Sequence, residues 1–290
     1  MINTTRPRRS VLYMPGANIR ALEKAKTLAA DSLILDLEDA VAPDAKLLAR
    51  KNILAALEVG FGHREAVVRI NSLNTSWGLD DLKAFANSKA DAILLPKVES
   101  AAQVQELAKL LKELNARPDL TIWAMIETPQ AIFKLQEIAS AHPLLETFVL
   151  GTSDLVKDLH ARHTPNRVET QTALSLAILA ARAHGLCVLD GVHLSLDDET
   201  GLRHACIQGR DMGFDGKTLI HPRQIQLANA SFGPSPEEIT EAEERISAYE
   251  AAIGSGAGIA VLNGKLIEEL HIQDAKRILA LAKSIQSFEE

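Results

Sequence analysis

Cysteine is nearly absent: Cys187 and Cys206 are the only two in 290 residues. Two thiols cannot build a disulfide framework, and neither stands at a metal-ligand spacing. Both read as reduced core thiols of a cytoplasmic protein. Aromatic residues make up only 4% of the chain, while Ala and Leu are abundant. That balance disfavours an all-β sandwich and favours helices packed on a sheet. Excess positive charge is missing too. The formal net charge is −7, so no nucleic-acid-binding face is expected, although a local basic pocket for a phosphorylated small molecule is compatible with it. No stretch reaches the ~18 apolar residues of a membrane helix, so no membrane partner is expected. The basic N-terminus, MINTTRPRRS, is not followed by a secretory apolar segment and reads as a short tail rather than a transit peptide.

What the sequence does contain is alternation. Short β-rich apolar runs recur at 10–14, 32–39, 66–71, 92–98, 121–128, 147–154, 187–192 and 214–220. Between them lie segments with helical spacing, such as Ala21, Leu22, Ala25 and Leu28, or Val104, Leu107, Ala108 and Leu111. Continuously apolar strands imply burial on both faces and hence a parallel sheet covered by helices. About eight units match a (β/α)₈ TIM barrel, which closes on about 250 residues as one domain. The rival is an open doubly wound sheet, but MPGANIRALEK (14–24) lacks the Gly-rich turn a dinucleotide fold needs. The expected layout is a catalytic barrel over 1–253, then a hinge and a lid or oligomerisation segment over 254–290. The glycine-rich GSGAGIA (254–260) would supply the hinge.

Polar residues gather at the C-terminal ends of the runs: Glu38 and Asp39, Arg69 and Asn71, Lys97, Glu127, Asp154, Asp190 and His221. In a parallel barrel those ends meet on one rim. Glu127 and Asp154 are the expected metal ligands, since two carboxylates completed by water and substrate oxygens suit Mg²⁺. The competing readings are a helix-cap role for Asp154 and a helix-entry role for Glu127. Arg69 has a fork that suits a bidentate carboxylate grip, with Glu38 or Asp39 as an ion-pair partner or a substrate carboxylate as ligand. Tyr13, Lys24, Arg8, Arg9 and Arg20 are expected around the first βα turn, where they would read an adenine and its phosphates or form solvated surface. Lys97 reads as a salt-bridge partner of Glu127 or Asp154. His221, in LIHPRQ, reads as structural or as a backbone contact to ligand.

RRSVLYMPGAN (8–18), LDLEDAVAPDAK (35–46), VVRIN (67–71), LLPKVES (94–100), IETPQAI (126–132), LGTSDL (150–155) and GFDGKTLIHPRQI (213–225) occur in that order. Together they resemble the citrate lyase β-subunit-like family of HpcH/HpaI aldolases, which includes malyl-CoA and citramalyl-CoA lyases. The resemblance covers residues 8–285. It implies a (β/α)₈ barrel in a homotrimer or hexamer, with Mg²⁺ or Mn²⁺ on Glu127 and Asp154. It implies that Arg69 binds the oxo-acid portion, and that Tyr13, Lys24, Ile220 and His221 contact coenzyme A. Asn18 stands where some relatives have Arg. The family's lid motif ends in an Asp that completes a neighbour's active site; here NGKLIEE puts Glu268 at that place.

The function implied is cleavage or formation of a carbon–carbon bond in a malyl-, citramalyl- or citryl-CoA-type thioester, yielding acetyl-CoA or an analogue and a 2-oxo acid. Arg69, Glu268, Glu38 and Asp39 would carry the catalysis, with Glu268 moving a proton at the enolate carbon. Two alternatives stay open: a (3S)-malyl-CoA thioesterase, and a citrate lyase β subunit acting on an acyl-carrier-protein thioester within a complex.

Overall fold

The computed structural model describes residues 6–254 and 259–289. Eight parallel strands close into a barrel in chain order. They are β1 (Ser10–Pro15), β2 (Ser32–Asp36), β3 (Glu65–Arg69), β4 (Ala92–Leu95), β5 (Thr121–Ile126), β6 (Leu145–Leu150), β7 (Cys187–Asp190) and β8 (Gly216–Leu219). The sheet closes where Val11 of β1 pairs with Thr218 of β8. The expected TIM barrel is therefore the observed fold, with each apolar run supplying one strand.

The helices α1 (Ile19–Ala25), α2 (Lys46–Val59), α3 (Gly78–Phe85), α4 (Ala101–Glu113), α5 (Pro129–Phe133), α6 (Leu135–Ala139), α7 (Thr152–Asp158), α8 (Gln171–Ala183) and α9 (Glu199–Met212) fill the connections. Every residue of β2, β3 and β4 is buried, because one face packs on helices and the other on the barrel interior. The interior is lined by Val11, Ile34, Val67, Ala92, Leu94, Trp123, Met125, Val149 and Leu189, with Tyr13 and Cys187 against them.

The N-terminal end of the barrel is closed by charge. Arg8 donates to both oxygens of Glu65 at 2.7 and 2.6 Å, pairs with Glu146 at 3.0 Å and lies 5.1 Å from the Trp123 ring centroid. Arg9 grips Asp31 in the same two-pronged way. This corrects one expectation. Arg8 and Arg9 precede β1, whereas the first βα turn follows it, and a six-residue strand separates the two ends by roughly 20 Å. These arginines secure the floor of the barrel and do not take part in the rim.

The chain divides into two compact units, one over residues 8–229 and the other built on residues 230–290. After α10 (Ile225–Phe232), the second unit holds α11 (Pro236–Gly254), an antiparallel hairpin of β9 (Ala260–Leu262) and β10 (Lys265–Ile267), and α12 (Glu269–Glu289). The hairpin turns on Asn263 and Gly264, both at positive φ, the pairing a tight two-residue turn requires. Ala260, Ile267 and Ile272 form its core with Ile246, Tyr249 and Leu262. Most of the expected glycine hinge, 255–258, lies outside the described residues. Among the described residues no helix is long and apolar enough to cross a membrane.

Candidate active site

At the C-terminal rim, register decides which charges meet. β2 and β3 pair so that Asp36 lies beside Arg69. Arg69 Nε and Nη2 each donate to one oxygen of Asp36, both at 2.6 Å. The remaining nitrogen, Nη1, faces Glu38 at 2.9 Å and Asp39 at 3.5 Å. Tyr13 lies under the guanidinium, with its ring centroid 5.0 Å from Arg69 Cζ. Burial pushes the Tyr13 hydroxyl well above the usual tyrosine range, against the pull of Arg69, so the ring stays neutral. Asp36 is fully buried and does a second job: its carboxylate accepts from the backbone N–H of Glu38 and of Ala40. One carboxylate thus shapes the loop that carries Glu38 and Asp39 and fixes the arginine those residues face.

Asp36 is not among the residues the sequence singles out. The expected ion pair of Arg69 with Glu38 or Asp39 is present through Nη1, but the two-pronged edge is taken by Asp36. The available signal was positional. SLILD and EAVVR end on the same level of adjacent strands, so their last residues are neighbours, whereas Glu38 and Asp39 already belong to the loop.

A second group forms on β4, β5 and β6. Glu127, just past β5, is 2% exposed, and its Oε1 accepts from the Lys97 backbone N–H at 2.8 Å. Burial raises its pKa to about 7; the Lys97 contact opposes this rise, and the charges of Asp154 and Glu38 add to it. Gly151 makes room for it, because a Cβ there would stand 2.5 Å from Glu127 Oε2. Asp154 lies in the first turn of α7 rather than in a strand. It is not the cap of that helix, since Gly151 occupies the N-cap without a side-chain bond. Glu127 does not cap α5 either; Thr128 does so, accepting from the Ala131 N–H. Neither carboxylate caps a helix, and Asp154 stands as the acidic residue in the first turn of α7.

Lys97 joins the two groups. Its Nζ lies 3.5 Å from Glu38 Oε1 and 3.7 Å from Asp154 Oδ2, and its backbone is left-handed at φ 50. Among the described residues no set of three or more His, Cys, Asp or Glu side chains is arranged to enclose a metal ion. A pair of carboxylates suits a hard cation that keeps its water, rather than a tetrahedral zinc centre.

Tyr13 is inside the barrel mouth against Arg69 and Met125, and Lys24 is exposed at the end of α1. Asn18 caps α1 by accepting from the Ala21 N–H. His221 precedes a short helical turn and accepts from the Arg223 N–H through Nδ1, while Gln224 accepts from the Ile220 and His221 N–H groups. These bonds hold the turn in which His221 stands, and Ile220 beside it is partly exposed. Glu268 is exposed at the start of α12, where its N–H donates to His271 Nδ1.

Comparison with known proteins shows what the chain is similar to. A family model described as HpcH/HpaI aldolase/citrate lyase matches residues 9–222. A (3S)-malyl-CoA thioesterase of Cereibacter sphaeroides is 53% identical over 289 residues, covering 99% of both chains. The citrate lyase subunit beta of Escherichia coli is 35% identical over 285 residues, covering 96% of this chain and 94% of that one. Among solved structures, protein CitE of Mycobacterium tuberculosis in complex with magnesium, acetoacetate and coenzyme A superposes with a TM-score of 0.79 at 30% identity, covering 97% of this chain and 99% of that one.

Proposed function

The chain belongs to the HpcH/HpaI aldolase/citrate lyase family, and from that premise we propose that it is a divalent-metal-dependent enzyme that hydrolyses a malyl-CoA-type thioester. The observation that carries the choice of reaction is the 53% identity, over 99% of both chains, to a (3S)-malyl-CoA thioesterase. It moves hydrolysis ahead of the carbon–carbon cleavage that the motifs alone put first. The second reading, cleavage to an acyl-CoA and a 2-oxo acid, is supported by the likeness to the citrate lyase β subunit and to CitE bound to acetoacetate and coenzyme A.

Glu127 and Asp154 would hold Mg²⁺. The fit rests on Glu127, a buried carboxylate whose charge burial disfavours and which a cation would stabilise. When bound, the ion supplies Lewis-acid polarisation of substrate oxygens. Arg69 presents Nη1 to a developing negative charge, held in direction by Asp36 behind it and Glu38 beside it. Tyr13 covers one face of the guanidinium and keeps water from it. Lys24, Ile220 and His221 are proposed to meet the coenzyme A portion, and Glu268 to move a proton.

The test is a product assay with (3S)-malyl-CoA and Mg²⁺, scoring free thiol, malate and glyoxylate. Free coenzyme A with malate and no glyoxylate is the expected result, and EDTA should abolish it with Mg²⁺ or Mn²⁺ restoring it. Acetyl-CoA with glyoxylate would replace hydrolysis by the second reading. Undiminished turnover after metal stripping would overturn the metal assignment.

A further inference from the structure

The carboxylates proposed to hold the metal already surround a cation of the chain's own, Lys97. Its main chain is fixed: the N–H donates to Glu127 Oε1 at 2.8 Å, the carbonyl accepts from Gln103 at 3.4 Å, and φ is 50, a value that favours glycine. Its side chain is not fixed in the same way. Nζ stands 3.5 Å from Glu38 and 3.7 Å from Asp154, with the side chain 44% exposed. Lys217 shows the contrast. It is 1% exposed and meets Asp190 at 2.8 Å, the length of a charge-assisted hydrogen bond. Lys97 is drawn by four carboxylates, Glu38, Glu127, Asp154 and Asp39, and locked to none.

Nearby cations do not take this place. Arg69 is committed to Asp36 and Glu38. Lys157 reaches Asp154 at 3.6 Å from outside, shares itself with Asp158 at 3.4 Å and is 73% exposed. Lys97 alone among these spans Glu38 and Asp154.

We infer that the Lys97 ammonium is a built-in competitor of the divalent cation, drawn to the same carboxylates, Glu38, Glu127 and Asp154, and displaceable from them. The inference rests on the reading of Glu127 and Asp154 as metal ligands. Like charges a few ångströms apart repel strongly in a partly desolvated site, so an arriving divalent ion drives the ammonium outward. The flexible four-carbon stem permits that swing without moving the anchored backbone. The displaced ammonium then faces solvent at the rim, where an anionic ligand would meet it.

The experiment is titration of Mg²⁺, and separately Mn²⁺, into the full-length protein without substrate, read by calorimetry and by the electron paramagnetic resonance of free Mn²⁺. Lys97→Met removes the charge at similar length and should bind either ion on the order of tenfold more tightly. Lys97→Gly suits the positive φ and should shift affinity in the same direction, which covers the case of a misfolded Met variant. Lys97→Arg should bind no more tightly than wild type. Equal or weaker metal binding by both the Met and Gly variants, with wild type still binding, would overturn the inference and leave the metal site standing. If wild type and all variants bind neither ion, the ligand assignment of Glu127 and Asp154 falls and takes the inference with it.

Discussion

At the scale of single residues, Arg69 shows how a strand end converts sequence into a directed charge. Two of its nitrogens are consumed by Asp36, so the position of Nη1 follows from a buried, two-pronged ion pair rather than from a mobile side chain. Lysine keeps the charge but has no fork. Arg69→Lys should leave one Asp36 oxygen without its partner and cost about 100-fold or more in turnover, with coenzyme A binding little changed. Asp36→Asn should reproduce much of the turnover loss while Arg69 itself is intact, because both the aim of the guanidinium and the loop bearing Glu38 are disturbed. Steady-state kinetics beside a separate measurement of coenzyme A binding would check both variants; wild-type turnover in either would reduce the pair to a structural brace. Arg69, Glu38 and Asp39 were legible because charged residues at the ends of apolar runs need partners. Asp36 was not singled out because register, which sets it against Arg69, is a property of two strands and is not written in either one.

At the scale of elements, the strands were legible for a physical reason: burial on both faces turns each into an unbroken apolar run, as in SLILD or AILL. Their ends were less so. The run 147–154 merges β6 with the start of α7 across Gly151, the N-cap of that helix, and Asp154 therefore moves from a strand into a helix. The segment between α7 and α8 is held by a buried cluster that sequence spacing does not reveal. Asp190, at the end of β7, accepts from Arg167 at 2.7 Å and from Lys217 at 2.8 Å. Burial alone would raise the Asp190 carboxyl; Lys217 and Arg167 more than offset it and hold the group below its ordinary range. Asp190→Asn would leave buried Lys217 and half-buried Arg167 without their counterion, so a loss of about 3–5 kcal/mol in unfolding free energy is expected at neutral pH. The sign with pH follows from the lowered pKa. The carboxylate's contribution is present above the unfolded value of about 4 and is lost as pH falls through the lower folded value. The gap between wild type and variant, measured by urea unfolding, should therefore narrow in acid. A gap that is small at pH 7, or that widens in acid, would contradict this account of the cluster.

At the scale of the whole molecule, the sequence places a boundary at 253/254, where glycine punctuation precedes a renewed apolar pattern; the second compact unit begins at residue 230 and so also takes in α11. That unit has its own core around Ile267 and Ile272, and α11, which precedes the glycines, packs on α12 beyond them. Glu268 belongs to this unit, exposed at the mouth of α12, while Arg69, Glu127 and Asp154 belong to the barrel unit. The family resemblance implies that an acidic residue at this place completes the site of a neighbouring chain in a trimer or hexamer, and we propose that role for Glu268. Glu268→Gln keeps the size and removes the proton-transferring carboxylate, so it should lose most activity while retaining metal binding. Asp154→Asn should be inactive through weakened metal binding. Mixed under conditions that exchange subunits, these two inactive variants should regain activity, since some sites would join an intact metal pocket from one chain to an intact Glu268 from another. Mass measurement of the reassembled oligomers would verify the mixing. Mixed oligomers that stay inactive would place Glu268 on its own barrel or remove it from the chemistry. An active Glu268→Gln variant, tested alone, would decide for removal, and Glu268→Asp should then behave no differently from wild type.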